Sequence, residues 1–219
     1  MINPMANVYQ PATAPTLYFI GVTTGQSSIM KVFPKWADAL GLKDAVIKGI
    51  DFAPHSSAEE YREAVNFYQN DPLSLGALVT THKIDLFNTC KDLFEYVDPY
   101  AERLGEVSSI SKKGGKLCAH AKDPISSGLA LENFVPANYW TQYDGDVLLL
   151  GAGGSTLAMS VYFAQEQFGA NVPKRIIIAN RSVPRLESAQ AILDGINPKI
   201  HLNTYTILRL RITTRLWLP

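Results

Sequence analysis

An α/β fold in two domains is what this sequence predicts, and three observations predict it. Short apolar runs alternate with stretches of helical period from Leu17 to Val79. A glycine-rich turn, GAGGST beginning at Gly151, stands between a strand pattern and a helix pattern. A further apolar run, Arg175–Ala179, returns after that helix as a βαβ unit requires. The expected division is a three-layer α/β domain over residues 1–140, then a second, incomplete α/β domain over residues 141–219.

Taken in order, Leu17–Val22 (LYFIGV) is short and apolar and suits a buried strand. Val32–Leu40 follows a helical pattern, with Gly41 placed to stop it. Val46–Phe52 is a second strand, and Ser57 with Glu60 three residues on resembles a capping box for a helix towards Tyr68. Asp71 and Pro72 break the chain before a third strand, Leu75–Val79. That β-α-β-α-β order favours a parallel sheet with helices on both faces. Val107–Lys112 and Lys116–Ala121 flank Lys113–Gly114–Gly115, a hairpin signal. A helix over Ile125–Glu132 follows, and Asn133–Tyr143 reads as the join between domains. Asp146–Leu150 is then a strand, Thr156–Phe168 a helix, Arg175–Ala179 a strand, Pro184–Ile192 a helix and Lys199–Ile207 a final strand.

Composition narrows the function classes. The 219 residues are 47% hydrophobic and 18% charged, which suits a globular protein with a sizeable core. Twenty basic residues balance 20 acidic ones, so nothing electrostatic points to nucleic acid or an anionic membrane. No apolar run is long enough to span a bilayer. The N-terminus has no basic start followed by an apolar block, and reads as a short flexible arm rather than a secretory signal. Cys90 and Cys118 are far apart, so a reduced, cytoplasmic setting is the simplest reading. His55, His82, His120 and His201 form no metal-ligand spacing, and no metal is expected.

The glycine-rich turn carries the chemistry. Gly151 permits the tight turn, and Gly153 keeps a Cβ away from an approaching pyrophosphate. The helix opening at Gly154 and Ser155 supplies free N–H groups and the positive end of a dipole. This is the phosphate loop of a Rossmann-type dinucleotide site. Its third fingerprint position is Thr156, where Gly or Ala is usual, which predicts looser packing of helix on strand. The next strand ends in Asn180–Arg181–Ser182. An NAD site normally places an acid there to hold the ribose hydroxyls. A guanidinium instead pairs with a 2′-phosphate, so NADP is favoured over NAD.

Several separate segments, from about Tyr18 to Ile192, together resemble the shikimate/quinate dehydrogenase family. LGALVTTHK is similar to that family's strand-to-loop motif and places its catalytic lysine at Lys83. GEVSSI, Gly105–Ile110, resembles its GAxNT segment, and AHAKDPISSG its NTD motif, with the catalytic aspartate at Asp123. GAGGST and NRS resemble its NADP loop and 2′-phosphate clamp. The resemblance implies an N-terminal substrate domain, a Rossmann domain that delivers hydride, and the Lys83–Asp123 pair as proton carrier and alkoxide stabiliser. The implied substrate contacts are Ser27, Ser28, Thr80 and Ser108. The family's HSxSP serines fall on Ser27 and Ile29, with Ser28 as substitute, and its Asn and Thr before the lysine fall on Ala77 and Val79, with Thr80 one residue away. Ser108 and Ser109 replace the asparagine and threonine of GAxNT, and Ala121 and Lys122 those before the aspartate. The catalytic pair is kept while the substrate shell is rewritten. Lys122 reads either as a partner for an acidic substrate group or as a solvated lysine, and His82 as a packing residue sooner than a ligand.

The implied function is hydride transfer between NADP and a secondary alcohol of a cyclic hydroxy acid, with a small molecule as partner and a homodimer left open. The alternative is a nucleotide- or metabolite-binding protein of the same descent without turnover. Only one βαβαβ half of a Rossmann domain is legible after Asp146. The tail Leu208–Pro219 (LRLRITTRLWLP) alternates like an edge strand, and a truncated or altered C-terminus relative to relatives is the expectation.

Overall fold

The computed structural model describes residues 9–207, so the predicted N-terminal arm and the predicted edge strand of the tail lie largely or wholly outside the described residues. The chain divides into two compact units, Met1–Lys122 and Asp123–Pro219.

The first unit follows the predicted alternation. Strand β1 (Thr16–Gly21) leads through helix α1 (Ile29–Ala39) to β2 (Val46–Asp51), then through α2 (Ala58–Asn70) to β3 (Ser74–Val79). β1 pairs in parallel with both β2 and β3, so the chain steps one way for the first crossover and back past β1 for the second. With right-handed crossovers, that reversal puts α1 and α2 on opposite faces of the sheet, which makes the three layers. Ser57 caps α2 as its sequence demands: its Oγ accepts from the Glu60 N–H at 3.2 Å, and Glu60 accepts from the Ser57 N–H at 2.8 Å.

The segment after β3 holds three elements that hydrophobic pattern alone does not reveal. Helix α3 (Lys83–Cys90), strand β4 (Phe94–Val97) and helix α4 (Pro99–Leu104) precede the hairpin of β5 (Ser109–Lys113) and β6 (Lys116–His120). Gly114 and Gly115 turn the hairpin with φ of +58° and +78°, the paired left-handed conformation of a type I′ turn. The strand order is β2-β1-β3-β5-β6-β4, with β5 antiparallel to β3 and to β6, and β4 parallel to β6. Ile20, Tyr61, Val65, Tyr68, Ile110 and Leu117 are fully buried around it.

The second unit begins with α5 (Asp123–Glu132) and a short α6 (Tyr139–Tyr143), inside the segment expected to be only a join. α5 packs along α7, and the two compact units meet in the chain between Lys122 and Asp123. Strand β7 (Val147–Leu150), helix α7 (Gly154–Phe163), β8 (Arg175–Asn180), α8 (Val183–Leu193) and β9 (His201–Thr206) complete it. The strands are parallel in the order β7-β8-β9, one mononucleotide half of a doubly wound sheet. Helix α7 is shorter than its sequence pattern, which runs on through a 3-10 turn at Glu166–Phe168. Ile176 and Ile178 are buried on one face of the sheet, whereas Leu148 and Leu150 are 61% and 71% exposed.

Candidate active site

The first unit carries a hydroxyl-lined hollow where β1 and β3 end. Their parallel pairing brings the loop after each to the same edge of the sheet. The hollow, about 270 Å³, is lined by Thr23, Thr24, Gln26, Ser27, Thr80 and Thr81 over a floor of Phe19 and Gly21. It contains no charged side chain and four threonines, so it can exchange hydrogen bonds with hydroxyl or carbonyl groups. Ser27 and Thr80, named from the sequence, are both in it.

Thr24 is set from across the sheet. The Asp51 carboxylate at the end of β2 accepts from the Thr24 N–H at 2.9 Å and from its hydroxyl. Gly49 makes this contact sterically possible, because a Cβ there would lie 1.9 Å from Thr24 Oγ1. Sequence reasoning passed over Thr23, Thr24, Gln26 and Thr81. A polar run directly after a buried strand was the available signal.

The other expected substrate contacts sit differently. Ser28 is exposed at the start of α1, with its side chain making no cap, and is not in the lining. Ser108 is buried, and its hydroxyl accepts from the Lys122 N–H at 2.8 Å while facing the His120 carbonyl at 3.4 Å. It ties the end of β6 in place.

Lys83 is the first residue of α3, and its N–H donates to the Thr80 carbonyl at 3.0 Å, so a single turn separates it from the hollow. His82 is a packing residue: it is 1% exposed, its Nδ1 meets the Tyr61 hydroxyl at 2.7 Å, and its ring stands edge-on to Phe52. Lys122 is also engaged, with its Nζ 3.5 Å from the buried Asp98 carboxylate, which caps α4 through the Ala101 N–H at 2.7 Å. Asp123 opens α5 and belongs to the second unit, whereas Lys83 belongs to the first.

In the second unit the loop between β7 and α7 has the features that a pyrophosphate requires. Gly151 has φ +110°, a conformation L side chains rarely adopt, and its N–H is held by the Ala179 carbonyl at 2.7 Å. A Cβ at Gly151 or Gly153 would meet no atom within 4 Å, so the space over the loop is open to a ligand. No side chain caps α7, which leaves its first-turn N–H groups available to an anion. Thr156 does not loosen the packing as its type predicted. It is buried, and its hydroxyl donates to the Gly151 carbonyl at 2.9 Å, tying helix to loop. Asn180 ends the neighbouring strand β8, parallel to β7, and Arg181 and Ser182 follow it directly, with Arg181 exposed. These residues fit a dinucleotide.

A shikimate dehydrogenase (NADP(+)) of Bacillus cereus is 31% identical over 124 residues, which is 57% of this chain and 39% of the relative. Over that stretch the chain is similar to shikimate dehydrogenases. Among solved structures, shikimate 5-dehydrogenase from Listeria monocytogenes, in complex with shikimate and NAD, aligns over 90% of this chain and 63% of its own. The TM-score is 0.68 at 17% identity, which shows a shared fold. The ligand-free 5-ketofructose reductase of a Gluconobacter strain aligns over 90% of this chain and 64% of its own, with TM-score 0.65 and 18% identity. The chain thus spans about two fifths of the length of the curated relatives it matches. No family model matches it.

Proposed function

We propose that the chain is the substrate- and cofactor-binding part of an NADP-dependent oxidoreductase acting on a secondary alcohol of a cyclic hydroxy acid or a near relative. The observation that carries the reading is the open glycine loop at an uncapped helix start, with Arg181 at the end of the next parallel strand. The bound nicotinamide would accept or deliver the hydride. Arg181 would pair with a 2′-phosphate, and the α7 N-terminus would hold the pyrophosphate. In the first unit, Thr23, Thr24, Ser27, Thr80 and Thr81 would orient the substrate hydroxyls. Lys83 would hold the reacting oxygen and carry its proton, and the carboxylate role falls to Asp123. The hydroxyl lining supports a polyol over an apolar alcohol, because an apolar substrate would strand those donors and acceptors unpaired.

Titration with NADPH and NADH tests the cofactor half. NADPH is expected to bind more tightly, and Arg181→Ala to weaken it about 10- to 100-fold while leaving NADH nearly unchanged. Equal loss for both cofactors would remove Arg181 from the 2′-phosphate. A panel of cyclic polyols and hydroxy acids tests the substrate half, and Lys83→Ala is expected to lower kcat by about a hundredfold or more. Cofactor binding without turnover on any member of the panel would leave a nucleotide-binding protein.

A further inference from the structure

The second unit holds a pocket that the dehydrogenase reading leaves unused. It encloses about 310 Å³ between α5, α6 and α7 and shares no lining residue with the Gly151 loop. That volume is at the small end of ligand pockets. Four aromatic side chains line it: Trp140, Tyr162, Phe163 and Phe168.

Those rings hold one another. Trp140 stands edge-on to Phe163 with centroids 5.4 Å apart, and Tyr162 meets Phe168 edge-on at 4.9 Å. The Tyr162 ring packs on Gly128, where a Cβ would lie 2.0 Å from the ring, so α5 and α7 approach this closely only with glycine there.

Glu132 gives the pocket its charge. Its carboxylate lines the wall and accepts from the Tyr162 hydroxyl at 2.6 Å. Burial first, and then this carboxylate, push the Tyr162 phenol upward, so it stays protonated and donates. Among the described residues no basic side chain pairs with Glu132, and the lining includes no Lys, Arg or His. Glu132 is exposed, so water shares its charge, but a carboxylate with no basic partner beside aromatic rings, whose faces are also negative, still favours a cation. A metal ion is a poor match, because one carboxylate and aromatic carbon offer too few hard ligands. A cation clothed in methyl or methylene groups satisfies the charge and the rings together.

We propose that this pocket binds a small organic ammonium ion, held between the Glu132 carboxylate and the Trp140 and Phe168 rings that line it. The assignment is independent of the dehydrogenase reading. Choline and its uncharged carbon isostere, 3,3-dimethylbutan-1-ol, serve as probes of matched shape. Each is titrated into the full chain and followed by tryptophan fluorescence and calorimetry. Choline is expected to bind about tenfold more tightly than the isostere, the difference being the charge. Glu132→Gln keeps an acceptor for Tyr162 and is expected to erase that preference. Phe168→Leu is expected to weaken choline more than the isostere. Equal affinity for the two probes in the unaltered protein, or no binding of either at millimolar concentration, overturns the proposal without recourse to any variant.

Discussion

A methyl group at position 49 has no room, since it would lie 1.9 Å from Thr24 Oγ1 and 2.8 Å from Thr24 Cβ. Gly49→Ala is therefore expected to displace Thr24 from Asp51 and to cost about 1–3 kcal/mol, as overpacking usually does. Thermal unfolding measures this, and an unchanged Tm would mean that the loop carrying Thr24 yields freely. A second residue sets acid stability. Burial raises the Asp71 carboxyl, but the Ala12 N–H, the Tyr18 hydroxyl and the Leu73 N–H outweigh it and hold the group below the usual carboxylate range. A folded pKa below the unfolded one means the stabilisation is complete above about pH 4 and is lost as pH falls through the folded value. Asp71→Asn is expected to lower Tm at pH 7 and to flatten the fall in Tm below pH 4. An acid limb parallel to that of the unaltered protein would assign the titration elsewhere.

The elements differ in how openly the sequence announces them. α2 carries a complete capping box, Ser57 with Glu60, and starts where its sequence says. The hairpin is equally plain, because two glycines in succession supply the left-handed turn that links twisted strands. Between them, α3, β4 and α4 are short, and a four- to eight-residue element holds too few repeats to show a period. Local chemistry still marked α4: Asp98 caps it, Pro99 occupies its first turn and Gly105 closes it. α5 was legible as a helix, but its partner was not, since Gly128 reveals its purpose only when the Tyr162 ring lies on it. Gly128→Ala is expected to raise intrinsic helix propensity and yet destabilise the second unit, because the ring cannot retreat from a buried position. Chemical denaturation of the variant reads the sign, and a gain in stability would show that α5 and α7 separate easily.

At the scale of the whole molecule, each unit places its functional loops at the ends of parallel strands. In the first unit the order β2-β1-β3 reverses direction at β1, and the hydroxyl-lined hollow lies at the ends of β1 and β3. In the second, the Gly151 loop and Arg181 follow adjacent strands. β7 pairs only with β8 among the described residues and carries the exposed Leu148 and Leu150 beside its open edge. Such an edge favours association with another strand. The isolated 219-residue chain is therefore expected to self-associate as its concentration rises, and Leu148→Lys to reduce it. Sedimentation velocity across a concentration series reads both outcomes. A chain that stays monomeric throughout would mean that the edge is inert.

The sequence by itself determined the α/β class, the strand–helix alternation of both units, and the glycine turn between β7 and α7, because these depend on local chemistry: a hydrophobic period, a cap, a glycine-permitted turn. Ser27 and Thr80 were singled out only through the family resemblance, and both line the hollow at the ends of β1 and β3. Only the tertiary structure decided that Thr24 is held by Asp51, that Ser108 and Lys122 are engaged in tying down β6, that Thr156 tightens the loop, and that Glu132 faces a ring of aromatics. Each of those pairs residues from separate segments, and which pairs meet is fixed by strand order and helix packing, which no local pattern encodes.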